Sequence, residues 1–153
     1  MREQLLREFF EGILPTSALA LDLRGSAIAT SAISTDVMIS DMAEYFVIRP
    51  EHAARLCDAV LQGDLPPDDL ATIGFALMAS EKFHWDGDRD EVLAEVIADW
   101  AAPEINYPLT TTNIELFRRW LLGIEPYPQK QAGTNPKSKG NLISVRRKNS
   151  TRR

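Results

Sequence analysis

The stretch Glu81–Leu122, EKFHWDGDRDEVLAEVIADWAAPEINYPLTTTNIELFRRWLL, decides how the rest of the chain is read. From Glu91 to Trp100 the apolar residues Val92, Leu93, Val96, Ile97 and Trp100 recur at helical spacing. Asp88 and Asp90 stand where a helix start favours a capping oxygen and negative charge. Pro103 and Pro108 disfavour helix at the residues before them, so 103–108 reads as an extended or turned elbow. A second helix opens at Thr112, with Glu115 at capping-box spacing, and stops at Gly123. Ile114, Phe117, Leu121 and Trp120 supply its inner face. Trp100, Phe117 and Trp120 are expected in the core, where aromatic rings dominate burial.

Working outward, residues 3–13 read as an amphipathic helix ended by Pro15, with Leu5, Leu6, Phe9, Phe10 and Ile13 inside. In 18–33, the alternation of Leu19, Leu21 and Leu23 and the turn former Gly25 suggest a small hairpin or loop, with Ile28 to Ile33 as the mate, although the same Ala-rich letters also fit an irregular linker or a helix. From Asp36, the residues Met38, Ile39, Met42, Tyr45 and Phe46 form a helical stripe that stops before Pro50. Pro50 starts another helix, with Ala53, Leu56, Cys57, Val60 and Leu61 inside and Gly63 at its end. Pro66-Pro67-Asp68-Asp69 opens a further one, running to about Phe83. Short loops between such helices imply antiparallel neighbours, giving a mainly α single domain of about six short helices.

The chain has 153 residues and a net charge of −5, but the charge is divided. Residues 1–128 carry 9 Lys and Arg against 22 Asp and Glu, a net −13. Residues 129–153 carry 8 Lys and Arg and no acid, a net +8. An acidic helical domain over 1–128 and a basic, disordered tail over 129–153 are therefore expected. The acidic body repels nucleic acid and membranes and speeds encounter with basic partners by a factor of about 10 to 1,000. No apolar run approaches the roughly 20 residues that span a bilayer, so the expected location is cytoplasmic. The lone Cys57 reads as packing material on a helix's inner side.

Chemistry is sparse. Asp86-Gly87-Asp88-Arg89-Asp90 starts like a calcium loop, but Glu91 and Ile97 occupy the positions that need Gly and a bidentate Glu. His52 and His84 lack a second ligand at metal spacing, so no metal site and no cofactor are expected. His84, between Phe83 and Trp85, is expected as a hydrogen-bonded structural imidazole. No nucleophile elbow, Walker loop or dinucleotide fingerprint occurs, and the expectation is a protein that is not an enzyme.

Trp85-Asp86, Asp99-Trp100, the run Pro103-Glu104-Ile105-Asn106-Tyr107-Pro108-Leu109-Thr110, and Trp120-Leu121 together resemble small bacterial immunity proteins. The resemblance covers residues 43–125 and is a pattern of spaced aromatics around the elbow. It implies a protein that binds and silences a cognate toxin of a polymorphic or contact-dependent system, without turnover.

A partner surface would then combine Asp68, Asp69, Trp85, Asp86, Asp88, Asp90, Glu91, Glu104 and Tyr107 as an acidic face edged by aromatics. Such a face could cover a cationic site, for instance in a nuclease, and its affinity should fall with salt and with charge reversal at Asp86, Asp88 and Asp90. The alternative is a helical scaffold or regulatory module that self-associates and has no toxin partner.

Overall fold

The computed structural model describes residues 1–31, 34–128 and 142–147. Six helices dominate: α1 Glu3–Phe10, α2 Thr16–Leu23, α3 Pro50–Leu61, α4 Asp68–Ala79, α5 Glu91–Ala101 and α6 Thr111–Leu121. Two small sheets accompany them. Strands β1 (Ala27–Ser31), β2 (Ser34–Ile39) and β5 (Leu142–Arg147) lie in the order β1-β2-β5. Strands β3 (Phe46–Val47) and β4 (Phe83–His84) form a parallel pair. The mainly α fold class holds, with sheet content at its edges.

The elbow region forms as its punctuation requires. Thr110 Oγ1 accepts from the Asn113 N–H at 3.2 Å, so the cap lies two residues before the expected Thr112. Asn113 then donates to the Pro108 carbonyl at 2.8 Å, tying the elbow to the first turn of α6. Trp100 and Phe117 are fully buried and meet edge to face at 6.2 Å. Tyr107 meets Phe117 at 5.9 Å and Trp120 at 5.4 Å, and Tyr127 closes the cluster on Trp120 at 4.8 Å. The Tyr127 hydroxyl donates to the buried Asp99 at 2.7 Å. Burial and that carboxylate push the phenol pKa well up, so Tyr127 stays a donor.

Helix α4 packs on α5 at very close range. A Cβ added to Gly74 would lie 2.8 Å from Trp100 Cβ and 2.9 Å from the Ala101 backbone nitrogen. Glycine is therefore required here by helix approach, outweighing its poor helix propensity. On the other side, α3 packs on α6, and Arg118 pairs with Asp58 between them. Cys57 is buried in this layer, and desolvation holds its thiol protonated far above the ordinary range.

Four expectations are corrected. Residues 16–23 form a helix rather than a strand, because Leu19 and Leu23 turn inward one helical turn apart while Leu21 is 64% exposed. The hairpin lies further on, pairing Ala27 with Val37 and Ile28 with Asp36. The helix expected from Asp36 is strand β2, because Val37 and Ile39 are buried while Asp36, Met38 and Ser40 are half-exposed, a period of two. Helix α1 ends at Phe10, where Gly12 at φ 76° turns the chain and leaves Ile13 68% exposed, so Pro15 is not its stop. Helix α4 ends at Ala79, four residues short of Phe83. One helix lost and one gained keep the total among the described residues at six.

Within the expected structureless tail, residues 142–147 instead form β5, which pairs in parallel with β2 from Ser34↔Leu142 to Ile39↔Arg147. A free sheet edge satisfies an extended segment's backbone without requiring a core of its own. The remainder of that expectation, and residues 32–33, lie outside the described residues.

Candidate functional site: a cleft beside the acidic loop

The loop between α4 and α5 is built from a buried carboxylate. Helix α4 ends at Ser80 in extended backbone, ψ 141°. Ser80 Oγ accepts from the N–H groups of Lys82 and Phe83 at 3.0 and 3.1 Å, and donates to Glu3 Oε1 at 2.6 Å. Glu3 is buried, and its Oε2 accepts from the Met42 N–H at 2.9 Å. One side chain of α1 thus anchors the approaches to both β3 and β4. The pair itself is short, with the Phe46 N–H on the Lys82 carbonyl at 2.9 Å and the Ile48 N–H on His84 at 2.7 Å.

Beyond β4, Asp86 organises the loop. Its Oδ1 accepts from the N–H groups of Asp88 and Arg89, both at 3.1 Å, and its carbonyl accepts from Asp90 at 2.7 Å. This is an Asx turn, a local side-chain substitute for a backbone turn. The side-chain capping of α5 expected of Asp88 and Asp90 is absent, and Asp86 instead holds the turn that leads into the helix. Asp90 occupies the N-cap position, yet its side chain makes no capping hydrogen bond. Both Asp88 and Glu91 are exposed.

A cleft of about 590 Å³ opens here, lined by Val47, Arg49, His84, Trp85, Asp86, Arg89 and Asp90. Its rim is aromatic and apolar: Tyr45 is 67% exposed and Val47 52%. Exposed His84 lies 5.2 Å from the Tyr45 ring, and the Lys82 ammonium sits 4.6 Å from the centroid of the same ring. The cleft is mixed in charge, because the carboxylates of Asp86 and Asp90 share it with the guanidinium groups of Arg49 and Arg89. Arg49 escaped the sequence reading, since it lies 37 residues before Asp86 and only the β3–β4 pairing joins them, whereas Arg89 stands within the Asp86–Asp90 run.

The nine expected partner-binding residues do not form one face. Trp85, Asp86 and Asp90 line this cleft, with Asp88 and Glu91 beside it on the loop and the start of α5. Asp68 and Glu104 line a different cleft at the far end of α5, about 16 Å away for an 11-residue helix. Asp69 is half-buried beside Asp68, and desolvation first, then that neighbour's charge, raises its carboxyl pKa. Tyr107 belongs to the aromatic cluster against Phe117 and Trp120.

The structural histidine is His52, while His84 is exposed. At the third position of α3, the His52 Nδ1 accepts from the Arg49 N–H at 3.0 Å. Its ring lies 5.4 Å from Phe10 and 5.3 Å from Phe46. Burial pushes its pKa below the ordinary value, and protonation at Nδ1 would remove the acceptor. The unfolded chain then binds the proton more readily than the folded one, so stability is greatest above the ordinary histidine pKa and falls on acidification through it. Urea unfolding between pH 7 and 5 should show this loss, and His52→Gln should flatten it. An unchanged slope in the variant would assign the loss to other groups.

Among the described residues, no group of acidic, histidine or cysteine side chains is placed to hold a metal ion, and no helix is long and apolar enough to cross a membrane. Fold and cleft together define a small, mainly α protein with an open, aromatic-rimmed surface cleft. Compared with known proteins, the chain matches no family model, no curated protein and no solved structure.

Proposed function

We propose that this chain is a cytoplasmic protein-binding inhibitor of the immunity type, acting stoichiometrically on a cognate toxin domain without turnover. The observation that carries this reading is the cleft between Arg49 and the 81–91 loop, with exposed Tyr45 and Val47 along its rim. Exposed aromatics that border charged groups are typical anchors of protein interfaces. The spaced-aromatic resemblance along Trp85–Leu121 supports the same reading, and the net −13 of residues 1–128 favours a cationic partner. The charge-mixed cleft adds specificity, since a partner must match Arg49 and Arg89 as well as Asp86 and Asp90.

The test is co-expression with the toxin domain encoded beside this gene, scored by survival and by co-purification of a one-to-one complex. Because Asp86 holds the loop's backbone, Asp88→Lys with Asp90→Lys is the cleaner probe of charge. This double variant should bind at least about tenfold more weakly at low salt, mainly through slower association, with the gap narrowing as salt rises. Equal affinity at low salt would remove the acidic loop from the interface. Continued toxicity without a complex, together with self-association of the chain, would replace this reading with the scaffold one.

A further inference from the structure

At the opposite end of α5, the hairpin β1–β2 leans over the start of α4 and encloses a second cleft of about 420 Å³. This volume lies within the usual range of small-ligand sites, roughly 300–1,000 Å³. Val37, Ala71, Phe75 and Pro103 give it an apolar part, Thr35 and Thr72 add hydroxyls, and Asp68 and Glu104 are the charged residues among its lining. The described lining includes no Lys, Arg or His, in contrast to the arginine-bearing cleft at the other end. Asp68 lies in the first turn of α4. The C-terminal end of α5 at Ala101 and the N-terminal end of α4 meet the same space with opposite dipole ends, so the carboxylates of Asp68 and Glu104 set its sign.

We infer that this cleft binds an alkyl chain ending in a guanidinium or ammonium group. The stem lies along Phe75, Val37 and Ala71, and the cationic head sits toward Asp68 and Glu104. Such a ligand matches both halves of the lining, since long basic side chains bury an apolar stem while the charge stays with a partner. A neutral apolar ligand would leave the carboxylates unmatched, and an anion would be repelled by them.

Agmatine serves as the probe, titrated into the ¹⁵N-labelled full chain and followed by NMR. The expected result is saturable shifts at residues 35–37, 68–75 and 101–104, and at least tenfold weaker binding in Asp68→Asn with Glu104→Gln. Ala71→Leu, which narrows the cleft and keeps both carboxylates, should weaken binding at least tenfold while the remaining amide spectrum is retained. An arginine-bearing pentapeptide binding tenfold tighter than agmatine would assign the cation to a protein side chain. Equal binding would assign it to a free amine. Absence of saturable shifts, wild-type affinity in the double variant, or equal binding of 1-pentanol would overturn the inference. The partner cleft lies at the other end of α5, so failure here leaves the immunity-type reading untouched.

Discussion

Replacing Trp100 with alanine should lower stability by about 4 kcal/mol, the range expected for removing a large buried aromatic. Trp100 is fully buried and sits where α4, α5 and α6 meet: its Cβ faces Gly74 and its ring faces Phe117 edge-on. The surrounding cluster of Phe117, Trp120, Tyr107 and Tyr127 cannot collapse into the space, because each ring is already held by another. In a domain of this size such a loss lowers Tm by about 10 °C or more. The indole nitrogen adds a second, opposing effect. Trp100 Nε1 is buried without a hydrogen-bond partner among the described residues, and an unmet buried donor costs about 1–3 kcal/mol. Trp100→Phe removes that donor along with part of the ring, so it should cost only about 1 kcal/mol. Urea midpoints for the two variants check both parts. Equal damage from Phe and Ala would mean that the N–H is satisfied in solution, and little damage from Ala would mean that this cluster is not the core.

The helices that the sequence made legible are those whose apolar stripe agrees with their end signals. Pro50 and Gly63 bracket α3, and the elbow prolines with Gly123 bracket α6. The failures come from short segments where two periods fit the same letters. Leu19, Leu21 and Leu23 alternate like a strand, yet Leu19 and Leu23 also lie one helical turn apart, and packing against α1 chose the helix. In 36–46 the choice went the other way. Val37 was passed over in the helical stripe, although Val37 and Ile39 are the buried pair, and β1 and β5 flank β2 on both edges. Tertiary context overrides local preference in pieces this short.

The site was half legible. Trp85 and the carboxylates of the loop are contiguous in sequence, so their grouping needed no fold. Joining Asp68 and Glu104 to them assumed one continuous acidic face, whereas α5 sets the two groups at its opposite ends. Tyr107 looked like an exposed anchor because its neighbours are polar, but Phe117 and Trp120 take its ring. Arg49, Tyr45 and Val47 were read as part of a helix or its end, and become cleft or rim only through the pairing of β3 with β4.

Glu3 was the residue furthest from view, and its removal should have the second large effect. In the sequence it belongs to the polar side of α1, among Arg2, Arg7, Glu8 and Glu11. Its partners lie 39 and 77 residues away, at Met42 and Ser80, which no local pattern reveals. Glu3→Ala would leave the Met42 N–H and the Ser80 hydroxyl without their acceptors in a buried setting. At about 1–3 kcal/mol for each unmet donor, partly relieved by rotation of the hydroxyl, the expected loss is about 3 kcal/mol. The damage should also be local. Ser80 holds the N–H groups of Lys82 and Phe83, and the Lys82 and His84 carbonyls hold Phe46 and Ile48. Hydrogen exchange should therefore accelerate at 42, 46, 48, 82 and 83 before it does in α5 and α6. Because those amides lie beside the cleft, binding of the proposed partner should weaken even at temperatures where the variant remains folded. Glu3→Gln distinguishes shape from charge: its amide oxygen can still accept from Met42, and its NH₂ can donate to Ser80 Oγ, recovering part of the loss. A Glu3→Ala variant within about 0.5 kcal/mol of the parent, the scale of an ordinary surface substitution, would show that the buried carboxylate does not hold the site.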